Sequence, residues 1–187
     1  MKAYRSRALL ALVGSVALIA TLAGCSSSGS AGSSPTSNPS GLPVATAGGA
    51  VVAYHGTVGS GITVVGKTQH SPVVTIAANA PAPTKLISTD LVLGTGATAQ
   101  ATSTVDTSYI GVSFDTHKVF NNSYPTGQTV NFPLNQVIPG WQQGIPGMKV
   151  GGVRALVIPP NLAYGSNPPP GAPAGPLVFV IELQGVS

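Results

Sequence analysis

The chain has 187 residues, enough for one domain of ordinary size and a tail. Only 6% of the residues are charged, and 24 glycines and 17 prolines interrupt any long helix, which excludes helix bundles and coiled coils. The formal net charge is +4, but three of the eight basic residues precede an apolar run at the amino terminus. The remainder carries no basic stripe that could neutralise several phosphates, so we expect no nucleic-acid partner.

Residues 1–24 have the pattern of a signal peptide. Three basic residues lead a run of apolar and small residues over 8–23, and Gly24 then precedes Cys25, the single cysteine. The run is shorter than the roughly 20 residues that a membrane-spanning helix needs. We therefore predict export with cleavage of this segment.

The tetrapeptide Leu22, Ala23, Gly24, Cys25 resembles the lipobox of bacterial lipoproteins. The resemblance implies that Cys25 is acylated after the peptide bond before it is cut. Two or three acyl chains, at about 0.8 kcal/mol per buried methylene, give stable anchoring. We expect a lipoprotein held by Cys25 at the outer side of the cytoplasmic membrane, in the cell envelope.

The segment after the cysteine is rich in small and polar residues. Residues 26–50 contain eight serines, five glycines, three prolines and no charge, a composition typical of a flexible tether. Residues 51–65 have short β-branched stretches broken by glycines. Two interpretations of this segment remain, an edge strand and a loose chain. We assign 25–61 to the tether, leave 62–71 as an uncertain boundary, and predict one folded domain over 72–187.

The predicted domain consists mainly of strands. Short turn-forming clusters separate six strand-length runs, which are PVVTI, LISTDLVLG, TVDTSYIGVSF, QTVNFPL, GGVRALVIPP and GPLVFVIELQGV. Between them, residues 137–148 allow one short helix that Pro139 can begin and Gly144 can end. This pattern predicts an α+β domain with an antiparallel sheet and one short helix.

No motif for acid–base, nucleophilic or metal chemistry stands out. LVLGTGATA matches a dinucleotide-binding pattern, but the β-branched residues after it cannot form the phosphate-binding helix. The three histidines lack partners at metal-ligand spacing, and residues 72–187 carry four basic and four acidic side chains. We expect no cofactor and no metal site, and any cleft of this neutral domain should favour uncharged, apolar ligands.

Aromatic and apolar residues are concentrated at loop and helix positions in the second half of the chain. They are Tyr109, Phe120, Val137, Ile138, Trp141, Tyr164 and Phe179. From composition alone, the ordinary core of a small β domain is the favoured interpretation of these residues.

The order of motifs in this region resembles the FKBP-type peptidyl-prolyl isomerases, the macrolide-binding immunophilins. The most specific segments are QVIPGW, GMKVGG and IPPNLAYG, within a similarity that spans about residues 72–187. The resemblance implies a half-open antiparallel sheet of about five strands wrapped around one short α-helix. It also implies an apolar pocket between helix and sheet that isomerises X–Pro bonds and can bind a macrolide.

The resemblance assigns that catalytic pocket to eight residues. They are Tyr109, Phe120, Asn121, Val137, Ile138, Trp141, Tyr164 and Phe179. It implies that Trp141 forms the floor, and that the Ile138 N–H and the Tyr164 hydroxyl hold carbonyls of the substrate or macrolide. Because Ile138 precedes a proline, its backbone is biased to an extended conformation that leaves its N–H accessible.

Three positions depart from the family pattern. Asn121 replaces a pocket aspartate, Val130 stands where a second aromatic is usual, and Ala172 or Pro173 replaces a bulky isoleucine. These changes predict reduced turnover, and leave open a binding module or holdase that captures proline-containing segments. We favour the enzyme, a monomer that acts on exported proline-containing polypeptides.

Overall fold

The computed structural model describes residues 41–45 and 50–187. The helix α1 spans Pro139–Gly144. The strands are β1 (Val44–Ala45), β2 (Ala53–Val58), β3 (Ile62–Lys67), β4 (Val73–Ile76), β5 (Ile87–Gly94), β6 (Thr104–Ser113), β7 (Val119–Asn122), β8 (Val130–Pro133), β9 (Val153–Ile158) and β10 (Leu177–Val186). The predicted signal peptide and Cys25 lie outside the described residues.

One sheet of seven strands forms the body of the domain. Its order is β1-β5-β9-β10-β6-β7, and β8 also pairs with β6. The ten-residue strands β6 and β10 lie side by side near its centre, with Phe179 opposite Gly111 and Ile181 opposite Tyr109. Both strands are rich in β-branched and aromatic residues, which pack well on a pleated surface that is covered on both faces.

The expected fold class is found, but the strand count of about five is too low. The main sheet has seven strands, and it is mixed because β1 runs parallel to β5. β7 escaped prediction because its sequence, VFNN, is short and half polar. β1 has two residues and gives no periodic signal. Pairing with a longer neighbour, rather than propensity, makes these segments strands.

Helix α1 lies against strand β9. Pro139 begins it, since proline supplies a helical φ and lacks the N–H that a first turn leaves unpaired. Gly140 and Gly144 lie against the side chains of Ile158 and Leu156, so the helix backbone approaches the sheet closely. No helix in the described residues is long and apolar enough to cross a membrane.

The sheet has two covered faces, which we call the front face and the back face. On β10 the front face carries Phe179 and Ile181, which share a buried cluster with Trp141 of α1. The back face carries Val178 and Val180, which share a second cluster with the strands before residue 77. Alternation along the strand thus assigns neighbouring residues of β10 to two different environments.

Strands β2, β3 and β4 form a separate three-stranded antiparallel sheet that covers the back face. The folded part therefore begins well before residue 72, and residues 53–61, which we assigned to the tether, form a strand and a turn. Gly59 and Gly61 had indicated a tether because glycines often interrupt regular structure. Their positive φ values of 59° and 81° make the tight β2–β3 turn, so these glycines connect two strands rather than interrupting order.

Candidate functional site

A cavity of about 250 Å³ opens on the front face between α1 and the sheet. It brings together all the residues that the resemblance assigned to the pocket, and adds Phe132 and Gln136. Its lining consists of Tyr109, Phe120, Asn121, Phe132, Gln136, Val137, Ile138, Trp141, Tyr164 and Phe179. None of these side chains is acidic or basic, so the cavity can accept an uncharged, apolar group without burying a charge.

Trp141 is the centre of an aromatic cluster at the base of this cavity. Its ring lies 5.3 Å from those of Tyr109, Phe132 and Phe179, with interplanar angles of 88°, 78° and 85°. Such edge-to-face pairs are the favoured arrangement of aromatic rings. Trp141 is 4% exposed, and the indole N–H has no partner among the described residues. The rings form a floor fixed by mutual contacts.

The walls beside this floor depend on a glycine. Phe120 of β7 and Phe179 of β10 meet edge to face at 5.6 Å and 86°. Between them lies Gly111 of β6, where a Cβ atom would come within 2.6 Å of the Phe120 ring and 2.9 Å of the Phe179 ring. The absence of a side chain at Gly111 therefore makes room for both walls, a signal that motif comparison alone did not show.

The rim of the cavity is formed by Val137 and Ile138 at the start of α1. Ile138 has an extended backbone (φ −58°, ψ 148°), and its carbonyl accepts the Trp141 N–H at 2.9 Å. The Ile138 N–H has no acceptor in the described part of the chain. The Gln142 side-chain amide donates to the Val137 carbonyl at 2.7 Å and braces this segment. Sequence reasoning missed the bracing role of Gln142.

Two tyrosine hydroxyls supply polar atoms to the cavity. Burial, with the nearby Tyr164 as the second cause, raises the pKa of Tyr109 above its ordinary value of 10.0. The Tyr109 hydroxyl therefore stays protonated at neutral pH and can donate a hydrogen bond. Tyr164 is half-buried and lines the same cavity.

Asn121 lies at the edge of the cavity on β7, opposite Gly111 of β6. Its side chain is exposed and neutral, so it offers hydrogen bonding without charge. The end of β7 is held by Ser123. The buried Ser123 hydroxyl accepts the Tyr109 N–H at 2.8 Å, and the Ser123 N–H donates to the Tyr109 carbonyl at 2.9 Å. This pair fixes the Asn121 edge relative to the aromatic floor.

Strand β8 contributes one aromatic side chain to the cavity, and Val130 does not reach it. On β8, Val130 pairs with Thr107 and Phe132 pairs with Val105. Phe132 reaches the cavity and packs 5.7 Å from the Tyr109 ring, whereas Val130 is not among the lining residues. Phe132 is therefore the aromatic wall that β8 supplies, two residues beyond Val130 on the same face, and the prediction that Val130 leaves out a second one stays a prediction.

The third departure concerns the loop before β10. Ala172 and Pro173 are half-buried, and neither is among the residues that line the cavity.

Within residues 41–45 and 50–187, no group of three or more His, Cys, Asp or Glu side chains could hold a metal ion.

The sequence model of the FKBP-type peptidyl-prolyl cis-trans isomerases matches residues 96–184. A probable FK506-binding protein of Corynebacterium glutamicum is 49% identical over 104 residues, which are 55% of this chain and 88% of that protein. An FK506-binding protein of Streptomyces anulatus is 45% identical over 109 residues, 56% of this chain and 88% of that protein.

Among solved structures, the crystal structure of FkpA from Escherichia coli superimposes with a TM-score of 0.52 at 39% identity, covering 59% of this chain and 53% of that chain. The class is thus that of the prolyl isomerases. The chain belongs to the FKBP-type peptidyl-prolyl cis-trans isomerase family. The sheet β2–β4 lies before the residues that the family model matches.

Proposed function

We propose that this chain isomerises X–Pro bonds of exported polypeptides in the cavity formed by α1 and the front face. The observation that supports this most directly is the uncharged aromatic cavity with a fixed floor around Trp141. Rotation about an X–Pro bond faces a barrier near 20 kcal/mol because the planar amide is resonance-stabilised. Uncatalysed exchange takes tens of seconds.

The reaction needs no acid, base or metal, because no covalent bond is made or broken. Water that solvates the amide oxygen favours the planar, charge-separated form, so a dry pocket lowers the barrier to twisting. The proline ring sits on Trp141, while the Ile138 N–H and the Tyr164 hydroxyl hold backbone carbonyls on either side. Each 1.4 kcal/mol by which these contacts favour the twisted state accelerates exchange about tenfold.

A macrolide is a second ligand for the same cavity, because an uncharged ring with carbonyl groups satisfies the same contacts. The chain has one tryptophan, Trp141, at the floor. Its fluorescence should therefore change on titration with an FK506-like macrolide. A tryptophan that does not respond to a series of such ligands contradicts this assignment.

The proposed location is the outer side of the cytoplasmic membrane, and it is supported by the signal-peptide pattern and by Cys25 in its lipobox. Fractionation of cells that express the native chain or Cys25→Ala tests it. We expect the native chain in the membrane fraction and the processed variant in the soluble fraction. Persistence of the processed variant in the membrane fraction excludes anchoring by acyl chains.

The activity is tested with a protease-free isomerisation assay on the full-length chain. Tyr164→Phe removes one hydroxyl from the cavity and should lower kcat/KM by about five- to thirtyfold, the effect of losing one hydrogen bond of about 1 to 2 kcal/mol. Tyr54→Phe is the matched control, because it removes a buried hydroxyl on the back face. Equal rates for both variants refute the role of Tyr164. Peptide binding without turnover in the native chain supports the binding module instead.

A further inference from the structure

A second cavity, of about 410 Å³, lies on the back face of the sheet. It shares no lining residue with the isomerase cavity. Its polar wall is formed by Thr68, Gln69, Ser108, Tyr124, Glu182 and Gln184. We call this set the back cavity, and nothing in the prolyl isomerase reaction uses it.

Glu182 is the charged side chain of the back cavity. It is 4% exposed, and its Oε2 atom accepts the Gln69 N–H at 2.7 Å. Among the described residues, the one ion pair formed by a lysine or arginine joins Arg154 to Asp90. Glu182 therefore has no lysine or arginine partner there. A buried carboxylate without a cationic partner is unfavourable unless protonated or paired with a ligand.

The groups around this carboxylate include oxygens that can accept further hydrogen bonds. The Tyr124 hydroxyl lies beside Glu182, buried and without a hydrogen-bond partner of good geometry among the described residues. The Gln184 amide donates to the Ser108 hydroxyl at 3.0 Å, and its carbonyl oxygen has no donor among those residues. The wall therefore offers one negative charge and neutral oxygens to a group that carries several N–H donors.

We propose that the back cavity binds a compact organic cation, an alkylammonium or alkylguanidinium group, with Glu182 as its counterion. The Tyr124 hydroxyl and the Gln184 carbonyl oxygen accept the remaining N–H groups. The cavity is large enough for this class of ligand. Its volume of about 410 Å³ equals that of on the order of a dozen waters at about 30 Å³ each.

The protonation behaviour of the carboxylate agrees with this assignment. Burial raises the pKa of Glu182, while the Gln69 N–H, the Tyr124 hydroxyl and the nearby His70 lower it. A bound cation acts in the same direction as these last three groups and favours the ionised carboxylate. A bound positive charge therefore stabilises the ionised form of Glu182.

Calorimetric titration of the full-length chain with ethylguanidinium, and with ethylurea as its neutral isostere, tests the proposal. We expect one saturable site for ethylguanidinium and at least about tenfold weaker binding of ethylurea, which is about 1.4 kcal/mol for the lost charge pair. Glu182→Gln keeps an oxygen for the Gln69 N–H and removes the charge. It should weaken ethylguanidinium binding by at least about tenfold.

Asp115→Asn is the control for Glu182→Gln, because Asp115 is an exposed carboxylate in the turn after β6 and does not line the back cavity. It should leave binding unchanged. The proposal is overturned if the native chain does not bind ethylguanidinium, if ethylurea binds equally well, or if both carboxylate variants behave alike. If Glu182→Gln does not fold, ethylguanidinium binding is measured in Tyr124→Phe and Ser108→Ala instead. Unchanged binding in both of these variants also overturns the proposal.

Discussion

Phe132 offers a direct test of how the aromatic cavity produces catalysis. Its ring makes edge-to-face contacts with Tyr109 at 5.7 Å and with Trp141 at 5.3 Å. Each contact of this kind is worth about 0.5–1.5 kcal/mol beyond area burial. Phe132→Leu keeps an apolar side chain but removes both contacts and opens one wall to water.

If the lost contacts destabilise the bound, twisted state of the X–Pro amide by about 1–2 kcal/mol, kcat/KM drops about five- to thirtyfold. Val130→Phe is the matched variant, since Val130 lies two residues away on β8 and does not line the cavity. It should change kcat/KM by less than about twofold. A protease-free isomerisation assay measures both, with urea unfolding to show that each variant is folded. A normal rate in Phe132→Leu, or a large gain in Val130→Phe, refutes the placement of the wall.

Two further predictions concern polar groups that are buried against the sheet. Burial raises the pKa of Glu182 above its ordinary 4.5, so the folded state keeps a proton that the unfolded state has lost in the pH range between the two pKa values. The free energy of unfolding therefore falls as pH rises through that range. Glu182→Gln should not show this change, and parallel pH profiles of stability for the two proteins contradict it. Ser123→Ala leaves the buried Tyr109 N–H without its 2.8 Å acceptor and should lower the free energy of unfolding by about 1–3 kcal/mol, measured by urea denaturation. A loss below a few tenths of a kcal/mol shows that water replaces the hydroxyl.

The sequence predicted the central elements of the domain because their signals are strong and local. β6, β9 and β10 lie in strand-length runs rich in β-branched residues, and α1 is bounded by Pro139 and Gly144. The family motifs also indicated which side chains share the front cavity. These predictions depended on residue type and order, which the sequence shows directly.

The remaining features depend on pairing and register that local patterns do not reveal. β7 is a strand because β6 pairs with it, and β2 and β3 are joined through a turn that uses Gly59 and Gly61. Phe132 is a wall residue because the strand register places it beside Tyr109 and Trp141. The back cavity joins Gln69 to Glu182, which are 113 positions apart in the chain.

The front cavity should accelerate rotation about X–Pro bonds rather than only bind proline. Exchange NMR on a proline peptide, with a substoichiometric amount of the full-length chain, measures cis–trans interconversion directly. We expect exchange faster than the uncatalysed tens of seconds, and loss of most of this acceleration in Trp141→Leu. Broadening of the peptide signals by binding, with interconversion no faster than in the free peptide, would contradict it.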